Sequence, residues 1–362
     1  MTFQVTVRPN IQRMTPYVPG KPIEEVEREL GISGVSKLAS NENPLGPSPL
    51  ALAAVKEGVS QIHRYPDGSA FYLKQALSEH LNLSVDRLLI GNGSNELLVL
   101  LAQLVLNPGD EVLYAEPSFV VYPIVTQLFE GAAKPIPLRE AAHDMKAFAE
   151  ALSPKTRLVY LCNPNNPTGT MVPLLAIEAF LKICPPQVLV VLDEAYYEYV
   201  DEKNYFESTR LLEKYSNLVI LRTFSKVFGL AGLRVGYGMA DPALVDAAQR
   251  GRQPFNVNSL AMLGAQAALR DKSHVERVKN LNREMRRKIQ TGLKNLGLAY
   301  APSHTNFIYF NISCAAGVYE KLLRGGIIVR PMGPDALRVT TGTEAETENF
   351  LKSLETIVGA KV

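Results

Sequence analysis

Residues 188–196 read Val188-Leu-Val-Val-Leu-Asp193-Glu-Ala-Tyr196. Five consecutive aliphatic residues followed at once by a carboxylate suit a strand buried on both faces, its end opening onto something polar. A carboxylate there is costly to bury unless it meets a cation or hydrogen-bond donors. Asp193 therefore reads either as a helix cap or structural ion pair, or as one partner in a site. The same kind of run recurs at Leu88-Leu-Ile90, Glu111-Val-Leu-Tyr114, Leu158-Val-Tyr-Leu161 and Leu218-Val-Ile-Leu221. Helix-length segments separate these runs, which predicts an α/β body with a mostly parallel sheet.

Each run gives way at its carboxyl end to a polar, glycine-rich or charged segment. Gly91-Asn-Gly-Ser-Asn-Glu96 comes after the first, Glu116-Pro-Ser-Phe119 after the second and Cys162-Asn-Pro-Asn-Asn-Pro-Thr-Gly169 after the third. Asp193-Glu-Ala-Tyr196 succeeds the run at 188–192, and Arg222-Thr-Phe-Ser-Lys226 the run at 218–221. Ligands of open α/β sheets bind outside the carboxyl ends of the strands, so the five segments are expected to line one crevice. Singly each has a plainer reading. Gly91–Glu96 is a loop with a helix start, or a cradle in which the amides of Ser94, Asn95 and Glu96 meet a phosphate. The Asn-Pro-rich segment is a turn by composition. Lys226 is a solvated lysine, or a buried amine whose lowered pKa supplies the neutral nucleophile of Schiff-base chemistry. Arg234 is a surface ion-pair member, or a fixed cation for bidentate phosphate binding.

At 362 residues the chain exceeds the roughly 250–300 over which one core keeps growing. A large body is expected over 46–265, with an arm and part of a smaller body at 1–45 and the rest of the smaller α+β body at 266–362. Val275, Val278, Leu281, Met285, Ile289 and Leu293 recur every three or four residues before Gly297. They predict an amphipathic helix joining the two bodies. Short strands are expected at Asn306–Phe310, Gly326–Val329 and Leu337–Thr340. A net charge of +2 gives no basic surface for nucleic acid or membrane. The longest apolar run, Leu97 to Leu106, is about half the ~20 residues of a membrane helix. No secretory leader pattern opens the chain. Cys162, Cys184 and Cys314 lack the spacing of a disulfide framework or zinc site, so no metal is expected and a cytoplasmic enzyme or binding protein is.

The ordered set GNGSNE (91–96), CNPNNPTG (162–169), DEAYYEY (193–199), TFSKVFGLAGLRVGY (223–237) and LRVTTGT (337–343) resembles the fold-type-I pyridoxal-phosphate aminotransferases over nearly the whole chain. More narrowly, Pro16-Tyr-Val-Pro-Gly-Lys-Pro22, Asn41-Glu-Asn-Pro44 and Arg64-Tyr-Pro-Asp67 are similar to the histidinol-phosphate aminotransferase family. The resemblance implies a seven-stranded, mostly parallel sheet flanked by helices. It makes Lys226 the residue that holds pyridoxal 5'-phosphate as a Schiff base and moves the substrate Cα proton. Asp193 would pair with the ring nitrogen, and Asn166 and Tyr196 with the ring hydroxyl. Ser94, Asn95, Thr223, Ser225 and Arg234 would hold the cofactor phosphate, and Tyr65 would reach it from a second subunit of a homodimer. Phe119 stands where the family often has a tyrosine stacked on the ring, so stacking would survive without the phenol hydrogen bond.

For substrate, the resemblance implies Arg338 on a carboxylate, with Tyr17, Asn43 and Arg330 as further contacts. Arg330 would meet phosphate or a distal carboxylate. The implied reaction interconverts histidinol phosphate and imidazole-acetol phosphate with glutamate and 2-oxoglutarate as the other pair. An aromatic aminotransferase, a threonine-phosphate decarboxylase and a non-catalytic cofactor-binding regulator are built on similar motifs.

Overall fold

Each of the five apolar runs forms a strand in the computed structural model, which describes residues 5–201, 205 and 208–359. A two-residue strand, β1 (Ser36–Lys37), comes first. A seven-stranded sheet then takes β2 (Leu88–Gly91), β3 (Glu111–Glu116), β4 (Ala132–Pro137), β5 (Thr156–Cys162), β6 (Leu189–Asp193), β7 (Leu218–Thr223) and β8 (Gly236–Met239). Their order is β2-β8-β7-β6-β5-β3-β4. Only β8 runs antiparallel to its neighbours; the remaining pairs are parallel.

Alternate residues of the central strands enter two separate cores. Val159, Leu161, Val190, Leu192 and Ile220 belong to one. Leu158, Tyr160, Val191, Val219 and Leu221 belong to the other. Helices cover both faces, so both side-chain sets are apolar and the strands read as unbroken runs. β4 and β8 carry no such run. β4 is an edge strand with Pro135 and Pro137, tolerated there because an edge leaves backbone donors unused. β8 is built around glycine because a Cβ at Gly236 would collide with the backbone nitrogen of Ser94.

The second body is organised on β9 (Phe307–Asn311), β10 (Ile327–Ile328), β11 (Arg330–Pro331) and β12 (Ala336–Thr340). β11, β12 and β9 form an antiparallel sheet, while β10 pairs in parallel with β1. Leu38 joins Ile308, Phe310, Leu337, Val339 and Phe350 in its core, so the end of the N-terminal arm is part of this body. The helix Lys272–Asn295 reaches both: Val278 lies in the first core, Ile289 and Leu293 in this one. No described helix is long and apolar enough to cross a membrane.

Candidate active site

The carboxyl ends of β2, β3, β5, β6 and β7 meet the arm and β11–β12 around a cavity of about 360 Å³. Every one of the five polar segments contributes to its wall. Ser94 and Asn95, Phe119, Asn166, Asp193 and Tyr196, and Thr223, Ser225 and Lys226 all line it.

Asp193 closes β6 with its side chain buried. Its Oδ2 accepts from the Tyr122 hydroxyl at 2.9 Å and its Oδ1 from the Ala195 amide at 3.2 Å. Burial pushes the carboxyl up to about 6, against the pull of those two donors. Lys226 follows β7, its Nζ donating to the Ser40 carbonyl at 3.2 Å. Burial lowers its amine to about 8, and the positive charges of Arg338 and Arg234 act in the same direction. Lys226 is thus a partly buried lysine of the cavity wall.

At another wall the helix Ser94–Val105 begins directly after Gly93. Its first amides have no partner within the helix and favour an anion. The Arg234 guanidinium packs against this turn: a Cβ at Gly93, where φ is +77°, would lie 2.5 Å from its Nη2. Arg234 also donates to Ser225 Oγ at 3.3 Å and to the Ala231 carbonyl at 3.0 Å, and has no ion-pair partner among the described residues. Thr223 Oγ1 accepts the Ser225 amide at 3.1 Å. A helix terminus, a guanidinium and two hydroxyls thus converge where only glycine leaves room, which is a donor set suited to phosphate.

Tyr196 is buried, and its hydroxyl accepts from Asn41 Nδ2 at 2.8 Å. Asn166 Oδ1 accepts from Arg338 Nη1 at 2.5 Å. Arg338, on β12, is itself buried; its Nη2 donates to the Ala39 carbonyl and its Nε has no partner. Arg330 is its direct cross-strand neighbour on β11. The Arg330 guanidinium lies 5.8 Å from the Tyr17 ring centroid and donates to the Val18 carbonyl at 3.0 Å. Like charges placed opposite one another destabilise a sheet. Neither arginine has a carboxylate partner among the described residues, so the pair offers anions two adjacent cations in one cavity.

Two expected site residues stand elsewhere. Asn43 does not line the cavity: its amide group donates to the Val227 and Gly46 carbonyls, and its Oδ1 accepts the Leu45 amide. It braces an Asn-Pro turn, a role its position before Pro44 already suits. Asn41, two residues earlier, is the arm asparagine that faces the cavity. Tyr65 is 83% exposed, stacked on Phe255 at 4.9 Å, and outside its own chain's cavity.

Sequence reading also missed Tyr122 and the buried pair Arg222–Glu194. In that pair, Arg222 Nε donates to Glu194 Oε2 at 2.9 Å, while Tyr205 donates to Glu194 Oε1 at 2.6 Å. The bridge ties the ends of β6 and β7 beside Asp193 and Thr223. Its only trace in sequence is a charge at each strand end.

A sequence model of the family described as aminotransferase class I and II matches residues 33–354. A histidinol-phosphate aminotransferase of Moorella thermoacetica is 48% identical over 357 residues, 97% of this chain and 92% of that protein. Histidinol-phosphate aminotransferase 1 of Nitrosococcus oceani is 47% identical over 353 residues, 96% and 95% of the two chains. Among solved structures, the Sinorhizobium meliloti histidinol-phosphate aminotransferase in complex with pyridoxal 5'-phosphate superposes with a TM-score of 0.91. Its identity is 29%, and 98% of each chain is covered.

Proposed function

The chain belongs to the class I and II aminotransferases, and from that membership we propose that it interconverts L-histidinol phosphate plus 2-oxoglutarate and imidazole-acetol phosphate plus L-glutamate. The observation that carries the substrate reading is the cross-strand pair Arg330 and Arg338 beside Lys226. Histidinol phosphate has no carboxylate; its anion is the phosphate, whereas glutamate carries two carboxylates. One cavity serving both in turn needs cations that accept either group, and guanidinium matches both by two-point hydrogen bonding. Arg338 then clamps a carboxylate in the glutamate half of the reaction, and Arg330 with Tyr17 meets phosphate or the distal carboxylate.

The cavity's groups suit pyridoxal 5'-phosphate. Ser94, Asn95, Thr223, Ser225 and Arg234 would hold its phosphate, Asp193 its ring nitrogen, Asn166 and Tyr196 its ring hydroxyl, and Phe119 a ring face. When bound, the cofactor supplies an electrophilic carbon for the donor's amine and a ring that withdraws electrons from the carbon losing its proton. The remaining work falls to protein groups. Asp193, ionised above about pH 6, would hold a proton on the ring nitrogen. Lys226, with its amine near 8, is partly neutral close to neutral pH and can take the Cα proton and return it.

Tyr65 enters this reading as the residue that a second copy contributes to the phosphate end. Its exposure, with Ile62, Phe71 and Tyr72 exposed nearby in the chain, supports a homodimer. Three free cysteines fit the cytoplasm. Incubation of the loaded protein with a substrate panel tests the whole. Turnover led by histidinol phosphate with 2-oxoglutarate is expected. Faster turnover of phenylalanine or tyrosine, or carbon dioxide release from threonine phosphate, would replace it with a neighbouring activity.

A further inference from the structure

Tyr122 lies behind the cavity wall and is fully buried. Its hydroxyl donates to Asp193 Oδ2 at 2.9 Å. Its ring stacks on Tyr160, with centroids 4.6 Å apart and planes within 10°, and meets Phe119 edge to face at 5.7 Å and 86°. A buried phenol needs an acceptor, and a backbone carbonyl commonly serves. Here the acceptor is, among the described residues, the one buried carboxylate that faces the cavity. Among the described residues the only other donor to that carboxylate is the Ala195 amide.

We propose that Tyr122 is a positioning residue for the reaction. Its hydroxyl holds the Asp193 carboxylate ionised and correctly turned, and its ring backs Phe119, so one side chain sets two walls of the cavity. The proposal rests on the aminotransferase reading and names a residue that reading does not use. Each Asp193 oxygen accepts one protein hydrogen bond and keeps a lone pair for a ring-nitrogen proton. Cys162 on β5, Tyr160, Glu194, Tyr196 and Lys226 are the other titratable groups that act on Asp193 or feel its charge. Of these, the Cys162 thiol is pushed up to about 12 and the two phenols are raised further, so all three stay neutral at working pH. Lys226 favours the ionised carboxylate and Glu194 opposes it. Among the described residues, Tyr122 is thus the only side chain that stabilises the carboxylate by direct hydrogen bonding.

Tyr122→Phe isolates the hydroxyl, because the ring, its stack and its contact with Phe119 remain. A hydrogen bond to a charged group is strong enough that kcat should fall about tenfold or more, while KM for glutamate stays within about twofold. The midpoint of the pH-dependent change in the loaded protein's visible band should move to higher pH. A less readily ionised Asp193 holds the ring-nitrogen proton less firmly, so less electron density is drawn from the lysine nitrogen. In an Asp193→Asn background the same change should alter kcat by less than about twofold, because the hydroxyl acts through that carboxylate. Equal loss in both backgrounds overturns the proposal. So does a Tyr122→Phe protein that melts early yet, once loaded, keeps the wild-type band midpoint and kcat; that result makes Tyr122 a packing residue. A wild-type protein with no visible band after incubation with pyridoxal 5'-phosphate refutes the aminotransferase reading instead, independently of Tyr122.

Discussion

Asp193→Asn should stabilise the cofactor-free protein at alkaline pH while disabling the loaded enzyme. Burial raises the Asp193 carboxyl from its ordinary 3.8 to about 6. A carboxyl whose folded pKa lies above its unfolded value favours the fold fully below pH 3.8. That contribution is lost as pH rises through about 6. Above about pH 7 the ionised group therefore weighs against the fold by about 3 kcal/mol, at roughly 1.36 kcal/mol per pKa unit. Asparagine has nearly the same shape, can still accept from Tyr122 and carries no charge. It loses one acceptor, with the Ala195 amide left to compete for the other, and that cost does not vary with pH. Urea unfolding of both apoproteins at about pH 4 and about pH 8 separates the two effects. Because more than half of the unfolded-state carboxyls are already ionised at pH 4, the stability of the variant relative to wild type should rise by about 2.4 kcal/mol between those pH values. A difference that stays constant with pH would refute this reasoning. In the loaded enzyme the order reverses, because the charge then faces a protonated ring nitrogen, and kcat should drop by about a hundredfold or more.

Gly93→Ala places a Cβ against Arg234 at a backbone angle side chains rarely adopt, so cofactor affinity measured by equilibrium dialysis should weaken roughly tenfold or more. Affinity unchanged would mean that Arg234 is free to move away. The Lys226 amine, neutral in half the apoprotein molecules near pH 8, should react with amine-specific reagents with that midpoint; a midpoint near 10.5 contradicts its burial. Lys226→Ala should abolish transamination yet still bind the cofactor noncovalently, and near-normal turnover by that variant would remove Lys226 from the chemistry. Arg330→Leu should raise KM for histidinol phosphate about tenfold or more while cofactor affinity stays within about twofold. An unchanged KM would exclude Arg330 from phosphate recognition.

The central strands were legible because both their faces are buried: Val188–Leu192 has no polar residue to interrupt it. β4 was hidden by an edge position that leaves Ala132, Ala133 and Pro135 partly in solvent, and β8 by glycines chosen for helix approach. Lys226 and Asp193 stood out because a charge at the end of an apolar strand needs a reason. Asn41 and Asn43 lie in the same short motif, and only the turn geometry shows that Asn41 faces the cavity while Asn43 braces the turn. Tyr122 was invisible for a different reason. It looks like any apolar helix residue until the fold brings it against a carboxylate 71 positions away. The opposition of Arg330 and Arg338 likewise depends on register across β11 and β12, which the intervening letters do not reveal.

Purified protein loaded with pyridoxal 5'-phosphate, then mixed with L-glutamate and imidazole-acetol phosphate, puts the central claim to the most direct measurement. Equal amounts of 2-oxoglutarate and L-histidinol phosphate should form, through a Lys226-dependent turnover that Lys226→Ala abolishes. A loaded protein that shows its visible band, responds to glutamate and yet forms no histidinol phosphate would contradict the substrate assignment while leaving the aminotransferase site intact.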